Sequence, residues 1–255
     1  MKKTLLLCTA LLALTAPAAF AGLDLTWDAC NQGPLHQSAK TFDCAGGAPA
    51  LLYGCFQSPV ALPTFFGMDI SIDIQINDSA ATPAFWHFEP LACNDGFLTL
   101  SDNKPAVPCP TATHTNLWGP GGGTSDAFIT AYAPAFTGAN RPRLNMTITR
   151  PSSSTIAVNA SPANNFGFEL TFLLDNAGTC AGCNSSATIV WNSATLFSAA
   201  ANSVRPEPSS TVITSRDASL VSPCVGAGPS GGGQTNCEAT PAHNRTWGSL
   251  KALYR

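Results

Sequence analysis

The stretch MDISIDIQIN alternates without a break: Met68, Ile70, Ile72, Ile74 and Ile76 are apolar, and Asp69, Ser71, Asp73 and Gln75 between them are polar. Successive side chains of a strand point to opposite faces, so this period of two predicts a strand with one buried and one wet face. Shorter runs of β-branched, aromatic and alternating residues predict further strands over 23–27, 50–56, 84–88, 96–101 and 126–133. The same reading gives 143–149, 154–158, 166–175, 187–192 and 210–215. Turn-forming residues separate them: Asn94-Asp95-Gly96, Pro120 to Gly123, Asn164-Asn165 and Asn176 to Gly178. No segment of helical period alternates with the strands, which argues against a parallel α/β sheet. The expected fold is all-β: an antiparallel β-sandwich of jelly-roll or immunoglobulin-like type.

The two ends break the pattern. Residues 1–21 have a basic start (Lys2, Lys3), an apolar run from Thr4 to Leu14, and Ala19-Phe20-Ala21 as an A-x-A cleavage signal. This reads as a signal peptide cleaved after Ala21, with an apolar run too short to span a bilayer. The expected destination is secreted, periplasmic or cell-surface, with no transmembrane segment. At the other end, Trp247, Leu250, Leu253 and Tyr254 fall on one helical stripe. Residues 244–255 are therefore expected to form a short amphipathic C-terminal helix that docks on its own domain or acts as a sorting or partner-binding tail. The sandwich domain is expected over 22–243.

Composition sharpens this picture. Loss of Lys2 and Lys3 takes the formal charge from -3 to -5, and only 11% of residues are charged. A mildly acidic chain without Lys/Arg clusters argues against nucleic acid as a partner. Of ten cysteines, Cys8 lies in the leader. An exported chain with so many cysteines is expected to be disulfide-stapled. Each local pair brackets a Gly-, Pro- or Asn-rich stretch, so the expected bonds are Cys30–Cys44, Cys93–Cys109, Cys180–Cys183 and Cys224–Cys237. Cys55, inside the apolar run ALLYGCF, is then a buried free thiol. The C-x-x-C at Cys180 and Cys183 precedes a strand pattern rather than a helix, so it lacks the helix N-terminus that a redox centre uses. Zinc calls for a second such pair or spaced histidines, which the chain lacks. No metal or other cofactor is expected.

Candidate chemistry is sparse. In FWHFEP a strand would turn Trp86 and Phe88 one way and His87 and Glu89 the other, leaving an acid/base pair on a wet face. Trp118, in the loop sequence TNLWGPGGG, is the tryptophan expected to be exposed, and a flat ring there could stack on a sugar. The ligand-binding candidates are thus Trp118, Trp86, His87 and Glu89. No nucleophile elbow, H-E-x-x-H or phosphate loop is present, so no catalytic residue is named.

LDLTWDAC at the expected mature start, FDC soon after, PAFWHFE, CAGC with IVWNSA, and NRTWGSLKALYR at the end together resemble a group of secreted bacterial cysteine-containing β-sandwich proteins. The likeness spans the expected mature chain, and its most specific part is the T-W-G-x-x-K-x-L-Y-R tail. No activity or catalytic residue comes with it. In strand order alone the chain is also similar to cohesin-like jelly rolls. The function expected is a non-catalytic secreted or cell-envelope structural, adhesion or binding protein. Its partner would be an extracellular glycan or an envelope protein. The alternatives are a carbohydrate-binding module and an extracellular hydrolase.

Overall fold

The computed structural model describes residues 22–30, 36–107, 109–110, 113–119, 125–151, 154–199, 209–214 and 224–228. The expected signal peptide, Cys237 as the expected partner of Cys224, and the tail with Trp247, Leu250, Leu253 and Tyr254 lie outside the described residues.

Two sheets pack face to face in an all-β, disulfide-stapled sandwich. The first joins β1 (Gly22–Trp27), β3 (Ala50–Gln57), β10 (Asn165–Phe172) and β5 (Leu98–Ser101), with β6 (Thr115–Asn116) on β10. The second runs β2 (Ala39–Lys40), β13 (Cys224–Ala227), β11 (Ala187–Ser198), β4 (Leu62–Ile76), β8 (Arg143–Thr149), β7 (Asp126–Ala133). In this sheet β12 (Ser209–Thr214) pairs with β11, and β9 (Ile156–Val158) with β4. Among the described strands all pairings are antiparallel except two short ones, β10 with β6 and β13 with β2.

The alternating strand is the spine of the second sheet. Ile70, Ile72 and Ile74 of β4 stand opposite Ala194, Trp191 and Ile189 of β11. On its other side Ile70 and Ile72 stand opposite Met146 and Leu144 of β8. All these side chains are buried. The first sheet answers with Leu25, Leu52, Phe168, Leu170 and Phe172, also buried. The layers interlock where the Phe168 ring meets Trp191 edge-on, centroids 4.9 Å apart. Gly54 makes this possible, because a Cβ there would sit 2.2 Å from the Phe168 ring.

Loops supply a second aromatic cluster at the edge of the core. Phe42 stacks on Trp86 at 5.8 Å and meets Trp27 edge-on at 5.7 Å. Phe88 contacts Phe172 and Tyr132. The expected strand over 84–88 is not formed. Ala84–Trp86 is a single 3₁₀ turn started by Pro83, whose fixed φ and missing N–H suit a turn better than a sheet.

The disulfides join loops that are distant in sequence. The bonds are Cys30–Cys109, Cys44–Cys183 and Cys93–Cys180, with separations of 79, 139 and 87 residues. The expected pairs Cys30–Cys44, Cys93–Cys109 and Cys180–Cys183 are therefore corrected. Proximity along the chain suggested local bonds, but stacking two sheets brings loops from different parts of the chain to one end of the sandwich. Cys180 and Cys183 each take a different distant partner. Cys224 is also disulfide-bonded, and Cys55 is free and buried.

Candidate functional site

The pleat that buries Leu23, Leu25 and Trp27 between the sheets turns Asp24 and Thr26 of β1 to the opposite, outer face. Across the ladder Asp24 meets Cys55, and Thr26 meets Tyr53. This face is not wet: Asp24, Thr26, Tyr53 and Cys55 are all at most 1% exposed. Segments on either side of the Cys30–Cys109 bond cover it. From 36–38, Gln37 N–H donates to Thr26 Oγ1 at 3.2 Å, and His36 Nε2 donates to Leu25 O at 2.9 Å while lying 3.4 Å from Asp24 Oδ1. From the other side Lys104 donates to the carbonyl of Cys109, and His114 is buried.

Five titratable groups besides Tyr53 thus share a nearly dry layer. The hydrogen bond with Asp24 raises the proton affinity of His36, against the opposing effect of burial. Burial, then the negative charge of Asp24, pushes the Cys55 thiol well above its ordinary value. Burial lowers Lys104. Burial, then the charge of Lys104, pulls His114 down to about 4. A nucleophilic cysteine needs the reverse, a depressed pKa in an accessible, electropositive setting. Cys55 is a protonated, enclosed thiol, and the cluster fastens the covering loops to the sheet.

The sequence candidates lie elsewhere. His87 and Glu89 do come together: Nδ1 is 2.6 Å from Glu89 Oε1, and both side chains are partly exposed. A carboxylate-oriented imidazole serves as a base when its other nitrogen faces a hydroxyl, thiol or water. Here Nε2 faces the Thr82 carbonyl at 3.0 Å, which has no proton to give. The pair closes the loop that follows the 3₁₀ turn. Beside it, Tyr132 donates its hydroxyl to Trp86 O, and burial, then the charge of Glu89, raises its pKa.

The two tryptophans are corrected as ligand platforms. Trp86 and Trp118 are both 0% exposed. Trp118 packs on Phe65 at 5.4 Å, and its Nε1–H donates to Gly167 O at 2.7 Å. A Gly/Pro-rich setting suggested exposure, but the bulge in β10 between Phe166 and Phe168 offers a carbonyl to the indole. A buried Trp usually finds such a partner.

The outward carboxylates are engaged one by one. Asp73 forms a two-point pair with Arg143 at 2.5 and 2.7 Å, and Asp69 accepts from Thr147 at 2.6 Å. Among the described residues no group of three or more His, Cys, Asp or Glu is placed to hold a metal ion. No helix among them is long and apolar enough to cross a membrane. Sequence reasoning missed the buried cluster because Asp24 and Thr26 occupy the polar half of an alternating strand. The one hint was Cys55, an apolar-leaning residue on that same face. No protein-family model and no curated protein matches the chain.

Proposed function

We propose that this chain is an exported, non-catalytic protein of the cell envelope or extracellular space, working as a stapled scaffold that binds through its surface. The observation that carries this reading is the set of cystines tying loops 79 to 139 residues apart. Such bonds persist in oxidising compartments and are rare in the cytosol. The signal-peptide reading of residues 1–21 and the likeness of the sequence to a group of secreted bacterial proteins point the same way. Against a hydrolase stands the imidazole of His87, occupied on both sides. Against sugar stacking on Trp86 or Trp118 stands their complete burial.

The test is expression of the full chain with an exportable leader, followed by fractionation, N-terminal sequencing and thiol counting. The expected product starts at Gly22, is found outside the cytoplasm, and shows one thiol, Cys55, that reacts only after denaturation. Retention in the cytoplasm with the leader intact, or several thiols reactive in the native protein, would overturn the proposal.

A further inference from the structure

We propose that the Cys93–Cys180 and Cys44–Cys183 bonds form one thiol–disulfide exchange site, entered at Cys93 by a low-molecular-weight thiol. The two bonds share the C-x-x-C segment, one sulfur each. That segment and Cys44, though not Cys93, line an open cleft of ≈ 430 Å³, into which a released Cys44 sulfur would face. Access is unequal. Cys93 is exposed and Cys44 half-buried, while Cys180 and Cys183 are 1% and 2% exposed. An incoming thiolate therefore reaches Cys93 first, and the leaving sulfur is that of Cys180.

Asn176 prepares that departure. Its Nδ2 lies 3.2 Å from Cys180 Sγ and donates to it, and the same nitrogen donates to Cys93 O at 2.7 Å. A hydrogen bond to the charged form stabilises a thiolate, and a better-stabilised thiolate leaves faster. In the first step the thiolate forms a bond to Cys93 Sγ, the Cys93–Cys180 bond breaks, and Cys180 departs as thiolate. In the second, Cys180 attacks Cys183, the Cys180–Cys183 bond forms, the Cys44–Cys183 bond breaks, and Cys44 departs as thiolate. One thiolate enters and one is released, two disulfides precede and two follow, and nothing is oxidised or reduced overall. Residues three apart in a turn approach within about 7 Å, close to the ~4.4–6.8 Å that a disulfide spans. Gly182, with φ +100° and no room for a Cβ against Pro83, permits that turn. The end state carries the pairing that the C-x-x-C spacing alone suggests.

The experiment uses the native full chain and reduced glutathione at pH 8. Samples are quenched with acid, alkylated and mapped as peptides without reduction. The expected map shows glutathione on Cys93, a Cys180–Cys183 cystine, an alkylated Cys44 and an intact Cys30–Cys109 bond. Glutathione on Cys44 instead, absence of the Cys180–Cys183 cystine, no incorporation, or opening of Cys30–Cys109 at the same rate each overturns the proposal. Asn176→Asp keeps the side-chain oxygen that accepts from Thr179 but replaces the nitrogen that donates to Cys180 Sγ and Cys93 O with a charged oxygen that opposes a leaving thiolate. Incorporation should slow at least fivefold, the worth of the one lost hydrogen bond of ~1 kcal/mol to the leaving sulfur. A merely loosened loop would speed it, so an unchanged or faster rate overturns the role of Asn176. The wild-type map decides the exchange itself, whether or not the variant folds.

Discussion

His114→Gln isolates one buried ring whose protonation opposes folding. The residue is 3% exposed, shares a 2.9 Å hydrogen bond with Thr113 through Nδ1, and has no partner for Nε2 among the described residues. Burial and the charge of Lys104 bring its pKa to about 4, against 6.5 for a free histidine. The folded value is the lower one, so the unfolded chain takes up the proton first. The stability this ring allows is complete above pH 6.5 and is lost as pH falls towards 4. At pH 4.5 the difference in proton uptake corresponds to about 2.5 kcal/mol, at ~1.36 kcal/mol per pH unit. That is a large share of the ~5–15 kcal/mol of an ordinary domain. The assay is urea unfolding of wild type and variant at pH 7.5 and 4.5, followed by the fluorescence of the buried tryptophans. Carboxylates and His36 titrate alike in both proteins and cancel in the comparison. Between the two pH values the wild type should lose about 2.5 kcal/mol more than His114→Gln. Equal losses would refute the assignment of a buried, neutral ring at this position.

Three further outcomes follow from the same structure. His36 has a raised pKa through Asp24, so its contribution is complete below pH 6.5 and fades as pH rises through the folded value; His36→Gln should remove that alkaline loss in the same unfolding assay. Gly54→Ala should cost about 1–3 kcal/mol in thermal or urea unfolding, because the new Cβ meets the Phe168 ring in a full core, and adding Phe168→Leu should recover part of it. Replacing Cys30 and Cys109 together by Ser should lower stability by about 4 kcal/mol, from the chain entropy of a 79-residue link. It should also make Cys55 react with a thiol reagent under native conditions, while wild-type Cys55 stays silent.

The pleated layers were legible because their period is local. The alternation from Met68 to Ile76 marked β4, and the strands over 126–133 and 143–149 match β7 and β8 residue for residue. β2, β6 and β13 were not legible: they are two to four residues long, and long-range pairing rather than local pattern defines them. β11 runs to Ser198, past Asn192, since a strand rich in Ser and Ala carries little periodic signal. His87 and Glu89 do meet, but through a loop and not a strand, because Pro83 sets a turn. Trp86 and Trp118 were misplaced because residue context reports how a loop begins, not what lies above it. The cystine pattern failed for the same reason: contact between distant loops belongs to the stacked sheets and leaves no spacing in the sequence.

Those failures share one physical cause. A simple two-layer sandwich would leave the outer face of β1, β3 and β10 in water, and Asp24, Thr26 and Glu169 are residues suited to that. Here covering loops form an additional layer over part of that face. That layer has only the two-residue ladder of β6 on β10, so it is held mainly by other means. The Cys30–Cys109 bond ties its two sides together. His36 and Gln37 hydrogen-bond into β1. Trp118 reaches across to β10 through Gly167. Burying Asp24 without a polar partner would be costly, and His36 stands beside it at 3.4 Å. The stapling and the buried polar cluster are therefore two parts of one solution, and loosening the first exposes the second. Release of Cys30–Cys109 should accordingly make Cys55 reactive and weaken the coupling between His36 and Asp24 together, not separately.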